Sequence, residues 1–238
     1  MKSWEELYDR NYSPYSGKKE ACLVRGESGI IYPGVRVENV SFPLTIHAVQ
    51  AALFMCISQG DQPESAFIPE QAYCNDTMPF WKKSCNLAFK ELSQPSECEG
   101  IWFLPKQMSI EPDFKKLEEI SKKALVPESS FPVAAVITSD IGMIDGVNIE
   151  VTDWQKGLCA ERVAIASGIS LGTRLFKKIY IIAPKSDYVS PCGACRQVLS
   201  EHMADGKAIF MENPSESHTL IVRELLPYHF SAHQLRNK

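Results

Sequence analysis

The sequence contains no long apolar segment. None of its apolar runs approaches the roughly 18 residues that a membrane-spanning helix requires. The first seven residues, Met1-Lys2-Ser3-Trp4-Glu5-Glu6-Leu7, also lack the apolar stretch of a secretory signal peptide. We therefore expect a cytoplasmic protein that does not associate with membranes.

The chain also has fewer basic than acidic residues. The chain has 25 Lys and Arg residues against 29 Asp and Glu residues, a net charge of −4, and no dense basic stripe. A protein that binds a polynucleotide normally presents a basic surface, because contacts to phosphates supply much of the affinity. The charge therefore favours a small, weakly charged substrate and disfavours nucleic acid.

A disulfide framework is not expected, although the chain has eight cysteines. Disulfides are typical of secreted proteins, whereas cysteines in a chain without a secretion signal more often stay reduced or bind metal. Three of the cysteines lie in two short motifs in the second half of the sequence. The other five, Cys22, Cys56, Cys74, Cys85 and Cys98, lie in the first half.

The two motifs combine three cysteines with one glutamate. They are Cys159-Ala160-Glu161-Arg162 and Ser190-Pro191-Cys192-Gly193-Ala194-Cys195-Arg196. Catalytic zinc sites use three protein ligands and leave the fourth position to water, whereas structural sites usually close with four. The sequence thus predicts a catalytic zinc site at Cys159, Cys192 and Cys195. A closed structural zinc site and plain buried thiols are the alternatives.

Each motif precedes an apolar run, which predicts that each begins a helix. The free N–H groups and positive dipole of a helix N-terminus favour the thiolate, the form that binds metal. Cys192 and Cys195 are one helical turn apart and therefore face the same way. Because three thiolates give one divalent ion a net negative charge, we expect Arg162 and Arg196 to offset part of it by hydrogen bonding to sulfur.

The second half resembles the cytidine deaminase family over nearly all of residues 114–235. The resemblance is carried by five motifs in the family's order, which include the two cysteine motifs and the known pattern of a Cys or His, a following Glu and a later Pro-Cys-x-x-Cys. The other three are Phe131-Pro132-Val133-Ala134-Ala135, Asn148-Ile149-Glu150, and Glu224-Leu225-Leu226-Pro227 with Phe230. The resemblance implies α/β sandwich domains, each with a central mixed sheet flanked by helices, and one Zn²⁺ per chain.

Glu161 is the catalytic residue that the resemblance implies. It would take a proton from water, protonate N3 of the pyrimidine and later pass a proton to the ammonia that leaves C4. A glutamate in the first turn of a helix more often only complements the helix dipole. Its position two residues beyond a predicted metal ligand favours catalysis.

The resemblance also implies a set of substrate contacts. Asn148 and Glu150 would hydrogen-bond the sugar hydroxyls of a free nucleoside, and Phe131 would stack on the pyrimidine. The backbone N–H of Ala160 would lie near the base carbonyl, and Phe230 matches an aromatic residue that family members lend to a neighbouring subunit. Without the resemblance, the polar pair would be read as solvated surface and Phe131 as a core residue.

The first half of the sequence is a degenerate copy of the second. His47 stands at the position of Cys159, and Val49 stands at that of Glu161. Arg36 replaces the asparagine of the Asn-x-Glu motif, and Lys18 replaces the aromatic of Phe-Pro-Val. We therefore expect a non-catalytic domain over residues 1–104 and a catalytic zinc domain over residues 114–238.

Periodicity gives the elements of the second half. An amphipathic helix is predicted at 114–124, and strands are predicted at 132–138, 143–151, 179–183 and 208–211. The helix that begins at Cys159 is expected to stop at Gly168, because glycine is a poor helix former. A last strand of the first half is expected at 100–104.

These features together predict a hydrolytic deaminase of cytidine, and of 2′-deoxycytidine, in pyrimidine salvage. Two-domain chains of the family form dimers, so a homodimer that holds a pseudo-tetramer of domains is expected. Ala134 and Trp154 depart from the family pattern and could alter specificity. The alternatives are a deaminase of another cytosine-containing substrate, such as a nucleoside antibiotic or an RNA, and a zinc-stabilised scaffold without activity.

Overall fold

The computed structural model of the chain describes residues 3–70, 78–85, 87–107 and 111–231. Within these residues the chain forms two five-stranded mixed sheets flanked by helices. The strands of the first sheet are β1 (Ala21–Gly26), β2 (Ile30–Val35), β3 (Pro63–Pro69), β4 (Ala88–Leu92) and β5 (Ile101–Trp102). Those of the second sheet are β6 (Ala134–Ser139), β7 (Met143–Val147), β8 (Phe176–Ile182), β9 (Lys207–Asn213) and β10 (Glu216–Ile221). The predicted α/β class is confirmed.

The helices alternate with these strands. They are α1 (Trp4–Tyr8), α2 (Ala48–Ser58), α3 (Met78–Ser84), α4 (Phe114–Ser121), α5 (Ala160–Leu171) and α6 (Gly193–Met203). Short 3₁₀ turns at Phe42–Leu44 and Trp154–Lys156 precede α2 and α5. In the part of the chain that the structure describes, no helix is long and apolar enough to cross a membrane.

The two sheets repeat one arrangement. Four strands run in the order β4-β3-β1-β2 in the first sheet and β9-β8-β6-β7 in the second. In each, the pair farthest from the hairpin is parallel and the other pairs are antiparallel. The sheets differ at one edge each, where β5 joins β2 and β10 joins β9. The internal repeat inferred from the sequence thus has a counterpart in strand order, while the boundaries at 104 and 114 stay a prediction.

Helices α2 and α5 lie at the centre of the molecule, where each contacts its own sheet and the other helix. Nearly every residue of both helices is buried, in keeping with apolar sequences that show no strongly polar face. Helix α5 also lies against β2 of the first sheet. The two halves therefore share one hydrophobic core, in which Cys22, Cys56 and Cys98 are buried as free thiols. Cys74 lies outside the described residues.

One glycine in each half lets the central helix lie directly on a strand. A Cβ atom at Gly34 would lie 2.1 Å from the carbonyl oxygen of Ala48, and one at Gly146 would lie 2.3 Å from that of Ala160. Such distances are far shorter than any van der Waals contact, and the neighbouring atoms are backbone. Both positions therefore require glycine so that the first turn of the helix can approach the sheet.

We expect Gly34→Ala and Gly146→Ala to destabilise the protein by about 2–3 kcal/mol each, because overpacking forces the helix away from the sheet. Urea unfolding followed by circular dichroism measures the loss. Gly193→Ala is the control, since a Cβ at this helical position would meet no atom within 4 Å. If the Gly146→Ala protein unfolded at the same urea concentration as the Gly193→Ala protein, the close crossing of α5 over β7 would be disproved.

Some boundaries differ from the sequence prediction. Helix α5 does not stop at Gly168 but continues to Leu171 and ends at Gly172, whose φ of 95° is the left-handed conformation that favours glycine. Gly168 instead makes room for the ring of Phe176, which would lie 2.6 Å from a Cβ. Strand β7 ends at Val147 instead of 151, because Ile149 pairs with Leu125 and Leu158 outside the sheet.

Candidate active site and metal centre

Three thiols meet where α5 and α6 begin. Cys159 is the N-cap of α5, Cys192 is the N-cap of α6, and Cys195 lies in the first turn of α6. The sulfur of Cys192 is 3.7 Å from that of Cys159 and 3.5 Å from that of Cys195. All three sulfur atoms lie within 4.8 Å of one another. Within the described residues, this is the one group of three or more Cys, His, Asp or Glu side chains that could share a metal ion.

The spacing of the thiols fits zinc. Zinc–sulfur bonds of about 2.3 Å at tetrahedral angles put the sulfur atoms about 3.8 Å apart. The two shorter separations in this cluster are close to that value. The predicted ligands Cys159, Cys192 and Cys195 are thus brought together with the donor type and the spacing that a zinc ion needs.

The surroundings of Cys192 favour a thiolate. Hydrogen bonding with the thiols of Cys159 and Cys195, and then with the backbone N–H groups of Cys195 and Ala194, lowers the pKa of the Cys192 thiol well below its usual value. The N–H of Cys195 lies 3.5 Å from the Cys192 sulfur. A helix N-terminus provides such N–H groups without a partner in the helix. The N-cap position of Cys192 therefore supplies part of the predicted preference for the metal-binding form.

Glu161 lies in the first turn of α5 and is buried, with 4% of its surface exposed. Burial raises the pKa of its carboxyl to about 7, and the charge of Cys192 acts in the same direction. A buried carboxyl disfavours its charged form, since a low-dielectric environment solvates charge poorly. Glu161 is thus an acid whose side chain can both hold and release a proton near neutral pH.

Glu161 and two of the thiols line one cavity of about 250 Å³. Of the predicted site residues, Phe131 and Asn148 lie on its wall, together with Cys159, Glu161 and Cys192. Cys195 and Ala160 are fully buried and are not part of the wall. The remaining wall residues, to which the sequence analysis assigned no role, are Val133, Ile181, Ala183, Tyr188, Val189 and Ser190. Val133 and Ser190 belong to motifs found in the sequence, and Tyr188 and Val189 directly precede the second cysteine motif, so position in or next to a motif was the available signal.

Asn148 connects the cavity to the backbone beside it. Its Oδ1 accepts a hydrogen bond from the N–H of Val133 (2.8 Å), and its Nδ2 donates to the carbonyl of Phe131 (2.8 Å). An amide nitrogen carries two hydrogens, so one donor of Asn148 remains for a ligand. The side chain fixes the segment that presents Phe131, which is 39% exposed.

Glu150 lies beside a second, neighbouring cavity. Its Oε2 accepts hydrogen bonds from the N–H groups of Glu128 (2.9 Å) and Ser129 (3.2 Å). This second cavity, of about 160 Å³, is lined by Trp154 and Gly157 and shares Asn148 and Cys159 with the first. Glu150 therefore faces the space next to the thiols, not the space in front of Glu161.

Phe230 is separate from both cavities in the described part of the chain. It is 45% exposed, and its carbonyl accepts a hydrogen bond from Nε2 of Gln197 on α6. The expected contribution of Phe230 to a neighbouring subunit's pocket stays a prediction.

The two arginines do not act as predicted. Arg162 donates through Nη2 to the carbonyl of Leu44 in the first half (3.1 Å). Arg196 donates to the carbonyl of Pro191 (2.8 Å) and to the hydroxyl of Ser190 (2.7 Å). The expected hydrogen bonds to sulfur are not made, because Arg162 donates to a backbone carbonyl of the first half and Arg196 donates to the segment that precedes Cys192.

The corresponding region of the first half is filled by charged side chains. His47 is the N-cap of α2, as Cys159 is that of α5. Nδ1 of His47 lies 2.9 Å from the carboxylate of Glu20, which also accepts a hydrogen bond from Arg36 (2.7 Å). Arg36 in turn donates to Glu38 (2.9 Å).

The counterparts of Glu20, Arg36 and His47 line the open cavity of the second half. Glu20 precedes β1 as Val133 precedes β6, and Arg36 follows β2 as Asn148 follows β7. In the first half, the carboxylate of Glu20 and the guanidinium of Arg36 form a buried ion pair. In the second half, the uncharged side chains of Val133 and Asn148 stand at these positions and leave a cavity. The arrangement agrees with a first half that binds no substrate of the same kind.

Comparisons with known proteins agree with this geometry. Residues 110–212 match the family described as the cytidine and deoxycytidylate deaminase zinc-binding region. A cytidine deaminase of Sporosarcina psychrophila is 39% identical over 129 residues, which cover 52% of this chain and 95% of that protein. A blasticidin-S deaminase of Bacillus cereus is 31% identical over 130 residues, which cover 50% of this chain and 92% of that protein.

A solved structure of a cytidine deaminase from Burkholderia pseudomallei matches 48% of this chain and 93% of its own at 29% identity, with a TM-score of 0.44. The matches to these two proteins span nearly their whole length and about half of this chain. The chain belongs to the cytidine deaminase family, whose members are zinc-dependent hydrolases.

Proposed function

We propose that the chain converts cytidine and 2′-deoxycytidine to uridine and 2′-deoxyuridine with release of ammonia, a reaction of pyrimidine salvage. The observation that carries this proposal is the placement of Glu161 in one cavity with Cys159 and Cys192. A buried proton carrier next to a set of zinc ligands is the arrangement that hydrolytic deamination of a base requires.

Cys159, Cys192 and Cys195 would hold one zinc ion per chain, in the second half. Bound zinc lowers the pKa of a coordinated water to about 7, which makes hydroxide available at neutral pH. The three sulfur atoms come from the starts of two helices that the hydrophobic core holds together. Packing of the two helices therefore fixes the relative positions of the backbone segments that carry the ligands.

Glu161 would carry the protons of the reaction. Its carboxylate takes one proton from the attacking water and delivers it to N3 of the pyrimidine, as the oxygen forms a bond to C4. It then transfers the second proton of that water from the new hydroxyl to the amino group, and the bond between C4 and nitrogen breaks. Uridine keeps the proton on N3 and the oxygen on C4, and ammonia leaves.

The other wall residues would bind the nucleoside. Phe131 offers an exposed ring for stacking on the pyrimidine. The free donor of Asn148 and the carboxylate of Glu150 would hold the sugar hydroxyls, so the sugar would extend from the first cavity toward the second. The N–H of Ala160, at the first position of α5, would face the base carbonyl.

A different cytosine-bearing substrate is the second candidate. Trp154, which is 62% exposed, forms part of the wall of the second cavity, where a larger substituent than ribose would lie. The Bacillus cereus relative is a blasticidin-S deaminase. RNA is disfavoured by the net charge of −4, and a zinc-stabilised scaffold without activity is disfavoured by the buried Glu161.

The first half would have no catalytic role. The region of the first half that corresponds to the cavity is occupied by the ion pairs of Arg36 with Glu20 and Glu38. Residues 1–104 would serve as the structural domain and residues 114–238 as the catalytic domain, and two chains would form a homodimer with four such units. The cytoplasmic location expected from the sequence stays a prediction.

The proposal is tested by the loss of cytosine absorbance and the release of ammonia from cytidine, 2′-deoxycytidine and blasticidin S, with the zinc content measured in the same sample. We expect turnover of both nucleosides at about one zinc per chain. Turnover of blasticidin S alone would favour the second candidate. No turnover of any of the three at full zinc content would contradict the proposed deamination.

Asn148→Ala adds a test of the sugar contact. Loss of a hydrogen bond to the substrate should raise KM for cytidine by about tenfold and change kcat less. Asn11→Ala is the matched control, because Oδ1 of Asn11 accepts from the N–H groups of Glu20 (2.9 Å) and Arg36 (3.1 Å) in the first half. It should lower the stability without raising KM. Equal KM in the two variants would remove Asn148 from the binding site.

A further inference from the structure

One side chain in the first turn of each central helix donates a hydrogen bond to a backbone carbonyl of the other half. Nε2 of Gln50, on α2, donates to the carbonyl of Lys156 (2.7 Å). Nη2 of Arg162, on α5, donates to the carbonyl of Leu44 (3.1 Å). Each of these two bonds holds the backbone just before the central helix of the other half.

The two contacts occupy corresponding positions. Gln50 and Arg162 are each the third residue of their helix, as α2 begins at Ala48 and α5 begins at Ala160. Leu44 and Lys156 are each the last residue of the 3₁₀ turn before these helices. The contacts are thus an approximately two-fold symmetric exchange in which glutamine takes one place and arginine the other.

The two loops that accept these hydrogen bonds lead to different sites. The loop of Leu44 leads to His47, in the half whose cavity is filled. The loop of Lys156 leads to Cys159, a metal ligand, and places Trp154 and Gly157 in the wall of the cavity beside it. Of the two donors, Gln50 is therefore the one that acts on the catalytic half.

The loop of Lys156 has a second contact from the first half. The ammonium group of Lys156 lies 4.8 Å from the centre of the Phe80 ring, while it also donates to the carboxylate of Asp153. Gln50 itself is buried, with 7% of its surface exposed, so water does not readily replace its hydrogen bond. The carbonyl of Lys156 would lose a buried donor if Gln50 were removed.

We infer that Gln50 is a positioning residue for the catalytic half: it fixes the loop of residues 153–158, and so the wall that the sugar of the substrate contacts. This inference rests on the proposed function, because the wall matters only if a nucleoside binds there. It assigns the degenerate half a part in substrate affinity, through a residue that touches no substrate.

Gln50→Met tests the inference, since methionine has a similar length and no donor. We expect KM for cytidine to rise about fivefold, equivalent to the loss of one hydrogen bond of about 1 kcal/mol, with kcat within about twofold of the wild-type value. Hydrogen–deuterium exchange of residues 153–158 should be faster in this variant. In the Gln50→Arg protein, KM and the exchange of residues 153–158 should stay at the wild-type values, because arginine makes the corresponding bond at position 162.

Arg10→Met is the matched control. Arg10 also crosses between the halves, but it donates to the carbonyl of Ser170 (2.9 Å) near the opposite end of α5. It should leave KM and the exchange of residues 153–158 unchanged. An equal rise of KM in both variants would show a general loss of stability and would overturn the inference. Unchanged KM and unchanged exchange in the Gln50→Met protein would also overturn it. If the wild-type protein had no turnover, the proposed function would fail and exchange alone would decide the role of Gln50.

Discussion

Glu161→Gln is expected to lower kcat for cytidine by about 10²–10⁴, the usual contribution of a positioned proton carrier. Glutamine has nearly the same size and keeps the hydrogen-bonding capacity of the side chain, but it cannot accept and return a proton. Glu161 lies in the cavity that Cys159 and Cys192 also line, and its own side chain is buried. Absorbance of the cytosine ring measures kcat, and the zinc content is determined on the same sample.

The zinc content distinguishes a glutamate that carries protons from one that binds the metal. A proton carrier can be removed with the metal in place, so the Glu161→Gln protein should bind as much zinc as the wild type. Glu150→Gln is the control, because Glu150 accepts backbone hydrogen bonds from Glu128 and Ser129 and faces the second cavity. It should raise KM and leave most of kcat. Full turnover in Glu161→Gln would mean that another group moves the protons, and loss of zinc would assign Glu161 to the metal site.

The thiol cluster was predictable from the sequence because the information for it is local. The spacing of Cys192 and Cys195 by one helical turn, and the helix starts at both motifs, are properties of short segments. The association of the two segments followed from the resemblance to a known family. The structure adds the spacing of the sulfur atoms, which the sequence does not contain.

Contacts between the halves were not predictable, since they join residues that are far apart in sequence. Arg162 illustrates this point: from the sequence it belongs to the metal motif, yet its guanidinium reaches Leu44, 118 residues away. Gln50 has no motif at all and contacts Lys156, 106 residues away. Whether a donor meets a sulfur or a carbonyl depends on how two helices cross, and that is set by the whole core.

The ends of helices were also difficult to predict from the sequence, because a glycine can either end a helix or make room for a neighbour within it. Gly168 suggested an end of α5, but it accommodates the ring of Phe176 within the helix. Gly172, four residues later, ends the helix in the left-handed conformation. Intrinsic preference alone does not distinguish a glycine that accommodates a neighbouring ring from one that terminates a helix, since both depend on what surrounds the helix.

Cys195→Ala should reduce bound zinc from about one ion per chain to a small fraction and abolish turnover, because two thiolates do not hold zinc as three do. Cys195 is fully buried, and its sulfur lies 3.5 Å from that of Cys192. The loss of zinc should also lower the melting temperature, since a ligand that binds the folded state stabilises it. Zinc content, turnover of cytidine and thermal unfolding are measured with and without added zinc.

Cys22→Ala is the control that separates a metal ligand from a buried thiol. Cys22 is as fully buried as Cys195 but lies in β1 of the first half, away from the cluster. Its replacement leaves a small cavity and should cost about 1 kcal/mol of stability, while the zinc content and turnover stay at the wild-type level. Added zinc should then raise the melting temperature of the Cys22→Ala protein as it does that of the wild type, and should not raise that of Cys195→Ala. A Cys195→Ala protein that kept its zinc and its turnover would show that Cys195 is a core residue and that the metal, if bound, uses other ligands.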